Sequence, residues 1–104
     1  MKYSLLIRPE AQQDISGAFD WYEERVRGLG REFLRCVEVT INQISRSPCI
    51  HPCIYKNIRR VLTRRFPFGV FYIIAEQKII VLAVFHARRD PSSWQKHEKE
   101  SWKK

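Results

Sequence analysis

The sequence has few of the residues that interrupt or cross-link a polypeptide. It contains four glycines, five prolines and three cysteines among 104 residues. This scarcity excludes a Gly/Pro-rich linker, and a hydrophobic content of 44% is typical of a compact globular chain. Cys36, Cys49 and Cys53 form a small, odd-numbered set, which favours reduced thiols over a disulfide framework.

Long hydrophobic runs are also missing. The longest, "VFYIIA" and "IIVLAVF", are far too short to span a bilayer. At the N-terminus the apolar stretch meets Arg8 before the core of a signal peptide develops. We therefore expect a cytoplasmic protein that does not bind membranes. Its length predicts a single domain over residues 1–97, followed by a frayed tail over 98–104.

Acidic side chains are scarce in the second half. Residues 46–97 carry ten basic and two acidic side chains, whereas residues 1–45 carry six basic and seven acidic ones. Most of the net charge of +8 therefore lies in the second half. This asymmetry predicts an anionic partner, either a nucleic acid or an acidic protein, and the alternative is a merely solvated basic surface.

The common signatures of catalysis and metal binding are absent as well. The sequence shows no Gly-rich phosphate loop, Ser-His-Asp arrangement or carboxylate pair. Cys49, His51 and Cys53 are three potential ligands in "CIHPC", but a structural zinc usually needs four, and Cys36 lies within a predicted helix. We predict no metal and no cofactor.

What is present begins with a short strand, "KYSLLIR", and two helices. Pro9 suits the first turn of a helix that runs to Val26, and "RGLG" ends this helix because Gly28 and Gly30 are both able to take the left-handed cap conformation. A second helix covers residues 31–47. The short connection predicts an antiparallel helix hairpin. We expect Trp21 and Tyr22 to pack it against a sheet.

In the second half of the chain the sequence pattern changes from that of helices to that of strands. "NIRRVLT", "GVFYIIAE" and "KIIVLAVFH" predict an antiparallel meander whose sheet the first strand joins. The fold class is therefore α+β, with the order β-α-α-β-β-β and a helix hairpin on a small, mostly antiparallel, curved sheet. The last two strands are apolar at nearly every position, as in strands buried on both faces. Either the sheet curls around its own side chains, or uncovered apolar area awaits another chain.

The segments "ISGAFDWYEERVRGLGREF", "IRRVLTRRFPFGVFYII" and "VLAVFHARRDPSSW" resemble toxins of the RelE/ParE superfamily of bacterial type II toxin–antitoxin systems. The resemblance spans residues 3–95 and is closest to the ParE branch. It implies neutralisation by a cognate antitoxin. For the ParE branch it also implies poisoning of DNA gyrase, and for the RelE branch it implies cleavage of mRNA on the ribosome. A third possibility is a non-toxic basic module that titrates an antitoxin or binds nucleic acid.

The resemblance also distinguishes the branches by residue. In the RelE scheme an arginine on the second meander strand and a C-terminal tyrosine contribute to catalysis, and these positions hold Gly69 and Trp94 here. Lys56, Arg59 and Arg60 can supply positive charge, as can Arg88 or Arg89 at the place of the C-terminal arginine. His86 is the one remaining candidate acid or base, because imidazole is the side chain that ordinarily changes charge near neutral pH. These replacements favour the ParE branch over the ribonuclease.

Two sets of partner-binding residues follow. We expect the target to bind a basic patch, in which only one arginine of each adjacent pair faces the target. The patch comprises Arg59, Arg60, Arg88, Arg89, His86 and Trp94. We expect the antitoxin to bind by burial on the helix hairpin and the sheet, with charge adding rate and specificity. This second set comprises Arg64, Arg65, Phe71 and Val84.

Overall fold

A computed structural model describes residues 3–87 of the chain. This region contains two helices and five strands. In chain order they are β1 (Ser4–Ile7), α1 (Pro9–Arg25), α2 (Leu29–Arg46), β2 (Cys53–Tyr55), β3 (Ile58–Leu62), β4 (Phe68–Ala75) and β5 (Lys78–His86). Neither helix of this region has the length and apolar composition needed to cross a membrane.

The turn between the helices is built from two glycines with different roles. Gly28 has a φ of 88°, the left-handed conformation that suits glycine, and directly precedes α2. Gly30 lies inside α2, where an added Cβ would stand 2.7 Å from the carbonyl oxygen of Phe19. Of the two glycines able to take the left-handed conformation, Gly28 does so, whereas Gly30 is helical and permits the close approach of the helices.

A carboxylate of α1 ties this turn together. Glu23 accepts hydrogen bonds from the backbone amides of Gly28, at 2.8 Å, and Gly30, at 3.0 Å. These amides lie at the N-terminal end of α2, where helix N–H groups have no partner within the helix. The hydrogen bond from Gly28 is the main cause that lowers the pKa of Glu23. The hairpin is thus fixed by a side chain as well as by its apolar contacts.

The five strands form one sheet in the order β1-β5-β4-β3-β2. Strands β3, β4 and β5 are the predicted antiparallel meander, while β1 runs parallel to β5. The predicted α+β class and the order β-α-α-β-β-β are confirmed, with the short β2 as an additional edge strand. A register shift between Phe71 and Tyr72 leaves Leu82 of β5 without a partner on β4, as in a β-bulge.

Both faces of the sheet bury side chains. Phe33, Val37 and Ile44 of α2 pack with Val70 and Tyr72 on the helix-facing side. The opposite side holds a second cluster, whose members are Ile58, Phe71, Ile73, Leu82, Ala83 and Phe85. The side chains of β2 pack against this cluster. Strands β4 and β5 are therefore buried on both faces, as their sequence pattern predicts, and the alternative of uncovered apolar area does not apply to them.

Candidate partner-binding surfaces

Arg59 secures the loop that follows α2. Its guanidinium donates to the carbonyl oxygens of Cys49, at 3.1 Å, and His51. Beside it the hydroxyl of Tyr72 donates to the carbonyl of Pro48 at 2.7 Å. Burial raises the pKa of Tyr72 to about 12, against the opposing effect of the Arg59 charge. Arg59, predicted to bind the target, thus uses its Nη1 group for hydrogen bonds within the chain.

Arg60 points to the opposite face of the sheet. In the β3–β4 register Arg59 is opposite Tyr72, whereas Arg60 is opposite Phe71. The Arg60 side chain lies over Gly69, where an added Cβ would be 3.1 Å from both Cγ and Cδ of Arg60. Among residues 3–87, no hydrogen bond or ion pair engages its guanidinium. Of this adjacent pair, Arg60 is the arginine that remains available to a partner.

Arg64 and Arg65 lie in the turn between β3 and β4, and both are exposed. With Arg35 they line a groove of about 480 Å³ along α2. Arg65 forms an ion pair of 2.8 Å with Glu32 of that helix. The groove also contains the exposed, apolar Val39. It combines positive charge with apolar surface, as the predicted role in antitoxin binding requires.

His86 lines a different groove, which lies on the helix-facing side of the sheet. This groove has a volume of about 660 Å³ and lies between α1 and the ends of β4 and β5. The His86 ring packs edge-on against Phe68, with 5.5 Å between ring centroids. Asp14 and Trp21 of α1 line the same groove. His86 and Arg60 are therefore on opposite sides of the sheet.

The remaining predicted site residues fall into two groups. Arg88, Arg89 and Trp94 lie outside the described residues. Phe71 and Val84, predicted to bind the antitoxin, are 3% and 1% exposed because they belong to the two cores. The assignment of Phe71 and Val84 to antitoxin binding stays a prediction, and in this conformation both side chains lie beneath the surface.

Sequence reasoning missed the groove beside α1. Tyr22 packs as expected, against Phe33, Phe66 and Phe68. Trp21 does not pack against the sheet as expected. It is 51% exposed, and the Arg25 guanidinium lies 3.6 Å from the centroid of its ring. The available signal was Gly17, which lies one helical turn before Trp21. A glycine and a tryptophan four residues apart lie on one face of a helix.

The thiols and imidazole of "CIHPC" do not form a metal centre in the described part of the chain. No group of three or more Cys, His, Asp or Glu side chains there is arranged to hold an ion. Cys49 instead contacts the Tyr3 hydroxyl at 3.8 Å.

Comparison with known proteins identifies the family. The sequence model for the ParE toxin of type II toxin–antitoxin systems, parDE, matches residues 5–91. This chain belongs to the ParE toxin family. The match covers both helices and β2–β5, and so includes both grooves. No curated protein sequence gave a significant match to this ParE-family toxin.

Solved structures share the fold of this ParE-family toxin. A chain of the chromosomal ParDE TA system from P. aeruginosa superposes with a TM-score of 0.75 at 15% identity, covering 82% of this chain and 96% of that one. A chain of the RelBE2 toxin–antitoxin complex from Mycobacterium tuberculosis gives 0.55 at 17% identity, covering 83% and 99%. At such identities the superpositions establish the fold alone.

Proposed function

We propose that this ParE-family toxin arrests growth by poisoning DNA gyrase, and that a cognate antitoxin neutralises it. One observation carries the choice of target: the sheet separates His86 from Arg60. Ribonucleolytic cleavage needs an acid or base and a cation converging on a single phosphate. Two groups on opposite sides of a sheet do not meet this requirement, which supports a toxin that acts by binding.

Gly69 adds to this argument. It replaces the strand arginine that the ribonuclease scheme of the RelE branch implies. The space beside it is filled by the stem of Arg60, which directs a single cation to the surface opposite the helices. A guanidinium that has no ion pair among residues 3–87, on a basic chain, suits electrostatic attraction to an anionic target. We infer that Arg60 contributes to binding gyrase or its DNA.

Two parallel assays on purified toxin test the target. We expect inhibition of gyrase supercoiling or trapping of cleaved DNA, with no codon-linked cuts in ribosome-bound mRNA. Arg60→Ala is expected to weaken gyrase inhibition at least about tenfold while the fold is kept. Lys78→Ala, at the far end of β5, is the matched control. Cuts in mRNA that His86→Ala abolishes would establish the ribonuclease alternative instead.

The proposed binding of the antitoxin is supported by the groove that contains Arg64 and Arg65. Exposed charges at the rim of an interface mainly set the association rate and its salt dependence. We expect Arg64→Glu and Arg65→Glu each to slow association with the antitoxin and to flatten its salt dependence. Lys78→Glu makes the same charge change at the other end of the sheet. Equal association rates for all three variants across a salt series would show that these arginines lie outside the interface.

Toxicity itself has a direct test in cells. Expression of this chain alone should arrest growth, and co-expression of the small protein encoded beside it should restore growth. Normal growth at verified expression of folded protein would favour the third alternative, a non-toxic binding module.

A further inference from the structure

The loop between α2 and β2 brings a pair of exposed thiols to the surface. Cys49 lies in this loop and Cys53 begins β2, and both are exposed free thiols. The third cysteine, Cys36, is half-buried within α2. At about 1.5 Å of rise per residue, it lies about 15 Å along the helix axis from Arg46, the last residue of α2. The loop therefore holds two thiols that are close in sequence and separate from the third.

The backbone between these two thiols turns back on itself. It bends at Ile50 and His51, so the chain between the thiols is not extended. Arg59 holds this bend, because one nitrogen of its guanidinium donates to the carbonyl oxygens of Cys49 and His51. In the β2–β3 register Arg59 is directly opposite Cys53, and opposite side chains of an antiparallel pair lie on one face. Cys49 is thus anchored to the side chain that neighbours Cys53.

The hydroxyl of Tyr72 lies near both thiols. It donates to the carbonyl of Pro48, the residue before Cys49, at 2.7 Å. Burial is the main cause that raises the pKa of Tyr72, and the charges of Cys49 and Cys53 raise it further. Such an effect needs charges within a screening length of about 10 Å. The Cys49 sulfur also lies 3.8 Å from the Tyr3 hydroxyl, which places it on the same side of the sheet.

We propose that Cys49 and Cys53 are a redox modification site, at which a low-molecular-weight disulfide oxidises them to a reversible intramolecular disulfide. The thiolate of one cysteine attacks the oxidant, forms a mixed disulfide and releases one small thiol. The thiolate of the other cysteine then attacks the protein sulfur of that mixed disulfide and releases the second small thiol. The two protons and two electrons that the protein loses are taken up by the two small thiols.

Strand β2 can adjust to the formation of this bond. A disulfide needs Cα atoms about 4.4–6.8 Å apart. β2 is an edge strand of three residues, and its register with β3 shifts between Cys53 and Tyr55. Short edge segments of this kind open at low cost in free energy. The closed bond ties the loop to β2 beside Arg59, and it keeps this guanidinium in its internal hydrogen bonds.

The experiment equilibrates the full-length chain with mixtures of oxidised and reduced glutathione. Both thiols fall in one tryptic peptide, residues 47–56, whereas Cys36 falls in another, residues 36–46. After alkylation of the remaining thiols and digestion, the bond appears as a 47–56 peptide that lacks two hydrogen atoms and carries no alkyl group. We expect the equilibrium constant for forming the bond to be at least tenfold larger in the folded chain than in the same chain in denaturant.

Single substitutions locate the bond and test what promotes it. Cys36→Ser should behave like the unchanged chain, whereas Cys49→Ser and Cys53→Ser should each stop at one glutathione adduct in the 47–56 peptide. Arg59→Ala should lower the equilibrium constant of the folded chain at least threefold, because the loop loses its anchor. Arg60→Ala, on the opposite face of the sheet, is the matched control. An unchanged constant in folded Arg59→Ala would contradict the anchoring role.

Three results on the unchanged chain would overturn the inference. They are glutathione adducts on both thiols without an internal bond, equal equilibrium constants in the folded and denatured chain, and a bond that includes Cys36. None of these measurements involves gyrase or an antitoxin. The redox site and the proposed function are therefore tested independently of each other.

Discussion

The two helices of the hairpin differ sharply in what they bury. Helix α2 buries six residues: Gly30, Phe33, Val37, Thr40, Ile41 and Ile44. Helix α1 is nearly as long but fully buries only Ala11, and several of its other inward positions are half-buried. Because burial of large apolar side chains dominates stability, we expect α2 to contribute more to the free energy of folding than α1.

The weaker burial of α1 leaves a groove beside this helix. Gly17, Ala18 and Trp21 line a groove, whereas the corresponding stretch of α2 fills the core. In this toxin one helix stabilises the fold and the other presents a surface. Regions that bind partners commonly come from the less stable parts of a structure. The following predictions test this division, from the largest expected effect to the smallest.

Phe33→Ala should cause the largest loss of stability. The Phe33 ring is fully buried and lies 5.0 Å from Phe68 and 5.5 Å from Phe66, centroid to centroid. Removing it should lower the free energy of unfolding by about 3–5 kcal/mol. Trp21→Ala on α1 should cost about 1 kcal/mol or less, because that ring is half-exposed. Chemical denaturation of both variants would measure their free energies of unfolding. Equal losses of stability would contradict the division of roles between the two helices.

The two helical glycines should respond in opposite directions to alanine. Gly30→Ala in α2 places a Cβ 2.7 Å from the Phe19 carbonyl oxygen, and we expect a cost of about 1–3 kcal/mol. Gly17→Ala in α1 meets open space and should stabilise the chain by up to about 1 kcal/mol. Thermal melting of the pair checks both signs. A destabilising effect of Gly17→Ala would contradict the open space around this position.

Tyr72→Phe tests the connection that follows α2. Loss of the hydrogen bond to Pro48 should cost about 1 kcal/mol at neutral pH. The pKa of Tyr72 is raised from 10.0 to about 12 in the folded state, so the unfolded chain ionises first as pH rises. The Tyr72 contribution to stability should therefore decline between pH 10 and pH 12. Unfolding curves of the two proteins should converge in this window, and parallel pH profiles would count against the assignment.

Glu23→Gln should have the smallest effect, a small loss of stability at neutral pH that disappears in acid. The folded-state pKa of Glu23 is lowered from 4.5, mainly by the Gly28 amide, so its ionised form stabilises the hairpin above that value. This stabilisation is lost as pH falls through the lowered pKa. The variant should show a shallower loss of stability below about pH 4.5 than the unchanged chain. Glu24→Gln, at the exposed neighbouring position, is the control for the charge change.

Short-range patterns account for most of what could be predicted. Pro9, the apolar spacing of α2 and the β-branched runs of β4 and β5 define elements whose bounds agree with the structure to within two residues. The opposed faces of Arg59 and Arg60 follow from the alternation of side chains along a strand. The internal bonds of Arg59 were not predictable, because its carbonyl partners lie eight and ten residues earlier in a loop without a periodic pattern.

The sequence by itself determined the α+β class, the helix hairpin, the meander, the basic second half and the resemblance to ParE toxins. These depend on local spacing and composition. Only the tertiary structure decided that β1 pairs parallel to β5 and that this pairing stops at Val81. It also decided that the sheet separates His86 from Arg60. It also showed that Gly17 faces open space whereas Gly30 faces Phe19. These features depend on strand order, register and helix contacts, which arise between residues distant in the chain.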